Sequence, residues 1–410
     1  MQRFHDKKYN KHWIYLDDNN TPLILPCLYA RYITQRGVYI ELKVKKDRIT
    51  NQIIHFFEEV ETSFDGQYVR CNQLGLFLDW VCMQSLSGSQ MSLTNHTALP
   101  SDVINGYINN YLIKTQGKSE AAVSKAVYSL KSYFNWLSYF FDNKYKNIFV
   151  FSSHRTLSRA NNKQCLLVKY LLPATRELLY RRAGTLLEEI ILRTGGDLGC
   201  RTKENQGFLL KDFTANQKKH SGLLSLFSEL EKKADKHEFE YHLSSLYTKY
   251  GRSRTLYIPR FLLEKMQRYY STERPITNSN NLFVSNANNY SKGCVLSSEY
   301  GSRTFHKVLL KVINSIDENP ELYTGCQILE RGAVYHHLRH SFGTDVFYEL
   351  CRNSGKNFES ITTESATYIE TARRMGHKVD GYSSNQTTKL YIHSCGYKER
   401  LLKLVVNGEQ

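Results

Sequence analysis

The chain has 410 residues, a formal net charge of +16, and 41% hydrophobic against 23% charged residues. That length is too great for one compact core, so two or three domains are expected, of ordinary soluble globular composition. No apolar run approaches the roughly 18 residues of a membrane helix. The polar stretch from Met1 to His12 is no secretory signal, so a cytoplasmic or nucleoid protein with no membrane partner is expected.

The sequence pI is about 9.3. A balance this basic favours a polyanionic partner, because neutralised phosphates release counterions. Cys27, Cys71, Cys82, Cys165, Cys200, Cys294, Cys326, Cys351 and Cys395 are odd in number, and no two form a C-x-x-C pair. Neither a disulfide framework nor a zinc ribbon fits that spacing, so reduced thiols are expected.

Residues 1–60 read as a small basic unit of open function. Trp13–Leu16, Asp17–Asn20 and Leu23–Leu25 suggest strand, turn and strand, and Arg31, Arg36, Lys43, Lys45, Lys46 and Arg48 follow. Residues 61–165 read as a helical domain with a linker. Gln73–Ser85 is rich in apolar residues, and Ser101 suits an N-cap. From Ser119, Val123, Val127, Leu130, Phe134, Leu137 and Phe141 recur every three or four residues, as in a helix with one buried stripe. Lys125 and Lys131 lie off that stripe and are candidates to touch DNA; a merely solvated face is the alternative. The polar run Ser152–Lys163 reads as an interdomain linker.

Residues 166–410 read as a further domain. Thr175–Leu192 has helical spacing and ends at Gly195-Gly196. Phe239, Tyr241 and Leu243 alternate as in a half-buried strand. Leu246–Tyr250 and Thr255–Ile258 flank Gly251-Arg-Ser-Arg254 as a hairpin would. The rest is mainly helical by spacing, so the fold class expected is mainly α with a small β-sheet.

Five short segments carry chemical side chains. They are Gly199-Cys-Arg201-Thr-Lys-Glu204, Lys249 in the hairpin, His336-His-Leu-Arg339-His-Ser-Phe-Gly-Thr344, Gly376-His377, and Thr387-Thr-Lys-Leu-Tyr391-Ile-His393. In this order they resemble the tyrosine recombinases, the family that includes phage integrases, over roughly Leu171 to Tyr397. Gln73 to Phe141 resembles the family's helical core-binding domain more loosely. The resemblance implies a core-binding and a catalytic domain that clamp double-stranded DNA. It also implies cleavage and rejoining through a 3′-phosphotyrosine, without a cofactor, in a synaptic homo-tetramer that accessory DNA-bending proteins can assist. Integration or excision of a mobile genetic element is the purpose it implies.

By the same resemblance Tyr391 is the nucleophile, Arg201 and Arg339 hold the phosphate, and His336 accepts a proton. His377 binds the phosphate or the nucleophile, and Lys249 protonates the departing 5′ oxygen. Glu204 and His340 support them, and Arg252 and Arg254 join Lys125 and Lys131 as DNA contacts. The residue types suit the reaction. Planar guanidinium forks match phosphoryl oxygens in pairs, and a tyrosine of pKa near 10 needs help to attack at neutral pH. The register leaves His336 and His337 open; three residues before the arginine selects His336. Tyr382, in the long gap before Tyr391, is a rival nucleophile. Cys351–Ser365 reads as an insertion. For Gly396–Gln410, docking on a neighbouring subunit and packing on its own domain are both open. Other activities stay open too: a type IB topoisomerase-like enzyme, a DNA-binding protein without catalysis, and a zinc hydrolase using His336 and His340. The last lacks the glutamate of H-E-x-x-H, so no metal is expected.

Overall fold

The computed structural model describes residues 1–5, 12–46, 53–88, 91–161, 170–323, 327, 329–355, 357–362, 365–377 and 394–402. Over these residues the protein is mainly helical with small antiparallel two-stranded sheets, the class expected from the sequence. It divides into two compact units, Met1–Cys165 and Leu166–Gln410.

In the first unit β1 (Gln2–His5) pairs with β2 (Trp13–Leu16). The second strand expected at Leu23–Leu25 is instead the start of helix α1 (Ile24–Arg36). Pro26 sits in its first turn, where a missing amide proton costs nothing. A hairpin follows, β3 (Val38–Lys46) and β4 (Ile53–Glu61). Helix α2 (Phe64–Leu86) is capped by the Ser63 side chain and begins nine residues before Gln73. Helix α3 (Ser101–Gly106) has Pro100 as its N-cap, one residue before the Ser101 expected, and runs on as a π-helical stretch, Tyr107–Thr115. Then come α4 (Glu120–Phe141) and α5 (Ser152–Ala160).

One core joins Trp13, Tyr15, Tyr29, Ile33 and Ile40 to Leu74, Phe77, Trp80, Val123, Leu130, Phe134 and Leu137. Residues 1–60 are therefore no separate unit. Their sheets have only two strands each, too few to bury a core of their own, and they close against α2 and α4 instead. The Tyr15 hydroxyl donates to the Cys71 carbonyl at 2.8 Å, and the Tyr29 hydroxyl to Ser132 Oγ at 2.8 Å. The linker expected at Ser152–Lys163 is corrected too. Its first nine residues are α5, which is tied down by Asn161 Nδ2 donating to the Ile113 carbonyl at 3.0 Å.

The α4 stripe is core as expected, except that Val127 is half-buried and Phe141 is exposed at the helix end. Lys125 is exposed and Lys131 half-buried on the other face. Ser119 caps α4, accepting from the Ala122 amide at 3.4 Å. Ser119→Ala is expected to cost about 1 kcal/mol in urea unfolding. An unchanged midpoint would show the cap to be ornamental.

In the second unit the single helix expected over Thr175–Leu192 is two, α6 (Pro173–Arg181) and α7 (Leu186–Asp197). Gly195 and Gly196 do not end α7 but lie within it, pressed against the rings of Tyr335 and Tyr180. A 3₁₀ turn, Thr202–Gly207, leads to the short hairpin β5 (Phe213–Ala215) and β6 (Lys218–His220), and to α8 (Leu223–Lys232). The next hairpin pairs β7 (Glu238–Leu243) with β8 (Arg254–Pro259). Leu246–Tyr250, expected as strand, lies in the connection; Ser245–Tyr247 and Lys249–Gly251 are 3₁₀ turns. Helices α9 (Arg260–Thr272), α10 (Tyr300–Glu318), α11 (His336–Asn353) and α12 (Ala366–Met375) follow, and residues 394–402 form a last helix, α13.

The core of this unit runs from Leu179, Ile190 and Ile191 through Phe208, Tyr241, Leu256 and Ile258 to Phe305, Leu309 and Leu338. Helix α13 packs on its own unit. Cys395 is buried with Phe347, Cys351 and Tyr368, and Leu401 with Tyr170 and Leu172. Asp345 accepts from Lys398 Nζ at 2.7 Å, from the Tyr170 hydroxyl at 2.7 Å, and from Arg176. Part of the stretch read as an insertion is thus structural: Cys351 lies in the last turn of α11, and Phe358 and Ile361 pack on the same cluster.

Candidate functional site

The site is built around Glu204. Leu198–Arg201 leaves α7 by a turn in which Gly199 has φ +62°, a left-handed conformation that favours glycine. A Cβ there would lie 2.4 Å from the Phe342 ring of α11. This glycine therefore lets the arginine turn approach the histidine-arginine helix closely. Arg201 is the N-cap of the 3₁₀ turn, which places Glu204 one turn on. One Glu204 oxygen accepts from Arg201 Nη1 at 2.7 Å and the other from the Arg201 amide at 3.0 Å.

Two more guanidiniums close on the same carboxylate. Arg254 Nη2 donates to Glu204 at 2.7 Å, and Arg339 Nη1 lies 3.7 Å from it. Arg339 is 1% exposed and arrives from the first turn of α11. It donates to the carbonyls of Gly199 and Met375, so it stitches the ends of α7 and α12 together. Met375 precedes Gly376, whose φ of +64° ends α12 and delivers His377. Arg339 Nη2 stands 3.4 Å from His377 Nε2. Arg339 and Gly199, 140 residues apart in sequence, thus meet with the still more distant Met375 and His377 at one point.

Burial alone would raise the Glu204 pKa. The guanidiniums of Arg254, Arg339 and Arg201 outweigh it and hold the carboxyl at about 2. His377 moves the opposite way for a base. Burial first, then the charges of Arg339, Arg201 and Arg254 and of nearby His336, push it down to about 3. At neutral pH its ring is therefore neutral, and Nε2 accepts from the arginine. Three guanidiniums against one carboxylate leave the cluster positively charged. That arrangement is suited to an anion held by charge-assisted forks.

The expected residues fall into three groups. Arg201, Glu204, Arg339 and His377 are brought together. His336 is exposed at the start of α11 with its ring 4.6 Å from that of His340, which is buried. Its neighbour His337 turns inward, its Nδ1 3.1 Å from the Val334 amide nitrogen. Lys249 and Arg252 are exposed in the β7–β8 connection. Tyr391 lies outside the described residues, as do Tyr382, Thr387, Thr388 and His393.

Arg254 differs from its expected place. It was expected beside Arg252 on the DNA-facing surface, but its side chain is 3% exposed and spent on internal groups. Besides Glu204 it donates to the carbonyls of Leu198, Gly199 and Arg374. The reason is register: Arg254, Leu256 and Ile258 share the buried face of β8. That alternation in the sequence was the signal that could have placed it inside. Two residues the sequence did not flag are Arg373 and Arg374, on the last turn of α12.

Among the described residues no group of three or more His, Cys, Asp or Glu side chains could hold a metal. Cys27, Cys71, Cys82, Cys200, Cys294, Cys351 and Cys395 are free thiols. No described helix is long and apolar enough to cross a membrane.

The chain is similar to a solved site-specific recombinase and a solved transposon integrase. The first is the XerH site-specific recombinase bound to its difH substrate in a pre-cleavage complex. It shares 15% identity over 80% of this chain and 77% of that one, with a TM-score of 0.48. The second is the Tn1549 transposon integrase with circular intermediate DNA. It shares 15% identity over 92% of this chain and 98% of that one, at 0.46. No family model and no curated protein matches the chain.

Proposed function

We propose that the chain is a tyrosine recombinase that cuts and rejoins double-stranded DNA at a specific site, integrating or excising a mobile element. The observation that carries this reading is the convergence of Arg201 and Arg339 on Glu204, with His377 beside Arg339. Three of the sequence boxes, far apart in the chain, build one buried cationic cluster. Such a cluster is costly to fold and stabilises nothing that a packed apolar core would not. It suits an anionic ligand on which negative charge grows.

The chemistry follows from these groups. The Tyr391 oxygen attacks the scissile phosphorus and gives its proton to His336. Charge on the non-bridging oxygens is met by Arg201 and Arg339, and His377 binds the phosphate. The bond to the 5′ oxygen breaks, and that oxygen takes a proton from Lys249. Phosphorus passes to tyrosine without hydrolysis, so a 5′ hydroxyl from another strand can reverse the step with no nucleotide consumed. Glu204 and Arg254 position the two arginines rather than touch DNA. His340 supports His336. Lys125, Lys131 and Arg252 contact the duplex, and the working assembly is a homo-tetramer in a synaptic complex, with accessory DNA-bending proteins.

The test is covalent trapping on nicked duplexes from the junctions of the host element. Denaturation is expected to leave a DNA-linked band, and digestion to place the phosphate on a tyrosine. A protein that binds such a duplex and gives no band with any of them is not an enzyme of this kind.

A further inference from the structure

Beside the cluster lies an open cavity of about 380 Å³. Its lining joins His377 and Gly376 to Arg252, Arg254, Arg373 and Arg374, with Tyr257 and the Ser253 and Thr255 side chains between them. Four arginines thus border one space, three of them with guanidiniums not spent on Glu204, and Glu370 is the only carboxylate among the lining residues. Arg374 is held in place, with Nε 3.2 Å from Glu370 and its guanidinium 5.1 Å from the centre of the Tyr257 ring. Arg252 and Arg373 are exposed, and neither makes a hydrogen bond or ion pair with a described side chain.

One fixed arginine, Arg374, and two uncommitted ones, Arg252 and Arg373, around one volume are the donors an anion needs and a purely structural wall does not. The volume falls within the ~300–1,000 Å³ of small-ligand sites. The lining is too polar for an apolar ligand. Planar forks select a phosphate-type oxyanion over a halide.

We propose that this cavity is a second phosphate subsite. Arg252, Arg373 and Arg374 hold the DNA backbone phosphate that flanks the scissile one, so the cleaved strand is gripped at two successive phosphates. The inference rests on the DNA-cutting function proposed above. The subsite contributes no proton and breaks no bond. It fixes the path of the strand past His377 and is indifferent to base identity, since phosphate contacts position and base contacts specify.

The experiment combines charge-neutral DNA with arginine variants of the full chain. Duplexes carry a single methylphosphonate at each position around the cleavage site. In wild type, neutralising one flanking phosphate is expected to weaken binding about tenfold, on top of the effect at the scissile position. In Arg252→Ala/Arg373→Ala, which leaves only Arg374 in the subsite, that same modification is expected to weaken binding much less than it does in wild type. The double variant should also lower the slope of log affinity against log salt by roughly 1, equally for all sequences. Arg252→Lys/Arg373→Lys, which keeps the charge, should restore most of the slope and guards against misfolding. Methylphosphonate penalties that are the same in wild type and the alanine variant would overturn the subsite and leave the recombinase reading standing. A wild-type protein that binds no duplex at all would remove both. A slope that drops with no phosphate-specific loss would assign the arginines to diffuse attraction and overturn the proposal.

Discussion

Tyr391→Phe is expected to bind a junction duplex within about twofold of wild type and to lose the DNA-linked band by a factor of roughly 10⁴ or more. The substitution removes one hydroxyl and leaves the ring. It leaves Arg201, Glu204, Arg254, Arg339 and His377, the groups that form the cationic cluster, unaltered in the sequence. Binding energy comes mostly from phosphate contacts, which a phenylalanine does not disturb. The chemical step has no substitute: water brought to the phosphorus would give a free 3′ phosphate and no covalent product. Tyr382→Phe is the control within the same segment and is expected to keep both binding and the band. A band that survives in Tyr391→Phe and vanishes in Tyr382→Phe would keep the chemistry and move the nucleophile. Bands in both variants would exclude both tyrosines.

Legibility in the sequence followed the range of the interaction. The α4 helix was readable because its buried stripe is local, and Ser119 marks its start. The Gly199–Glu204 and His336–Thr344 segments were readable as chemistry because several reactive residue types are packed into a few positions. What escaped depended on partners far away. Residues 1–60 looked separate because nothing in Tyr15 or Tyr29 announces that Cys71 and Ser132 will accept their hydroxyls. The polar run at Ser152 looked like linker because short amphipathic helices bury little. Gly195-Gly196 looked like a helix end because the rings of Tyr180 and Tyr335, which need that room, lie elsewhere in the chain. Arg254 was misplaced because Arg252, two residues away, is exposed in the turn, and only the start of β8 at Arg254, which sets it in line with Leu256 and Ile258, sends the second side chain inward. Asp345, which ties Tyr170, Arg176 and Lys398 together, had no local signature at all.

The cluster should also make folding acid-sensitive in two steps that belong to different residues. His377 falls from an ordinary 6.5 to about 3 in the folded protein, pressed by burial and by three arginines. The unfolded chain then binds the proton more tightly, so stability is full above pH 6.5 and declines as pH falls toward 3. Glu204 falls from 4.5 to about 2, because the arginines outweigh burial. Its contribution is full above pH 4.5 and is lost between 4.5 and 2, worth about 3 kcal/mol at the end. Of the two cluster groups only His377 acts from pH 6.5 to 4.5, and a loss of about 2 kcal/mol is expected from it there, beside the losses from His96 and His242, which burial also pushes down. Urea unfolding of wild type and His377→Asn at pH 7, 5.5 and 4.5 reads it directly. The variant should lose less stability across that window, and parallel curves would show that His377 is not the group concerned. Glu204→Gln acts at every pH. It leaves the guanidiniums of Arg254 and Arg339 buried without their carboxylate, an expected cost of about 3–5 kcal/mol at pH 7. A bound phosphodiester reverses the histidine's sign. Its charge offsets the arginines and favours the protonated ring, so duplex binding near pH 5.5 should take up about one proton that His377→Asn does not.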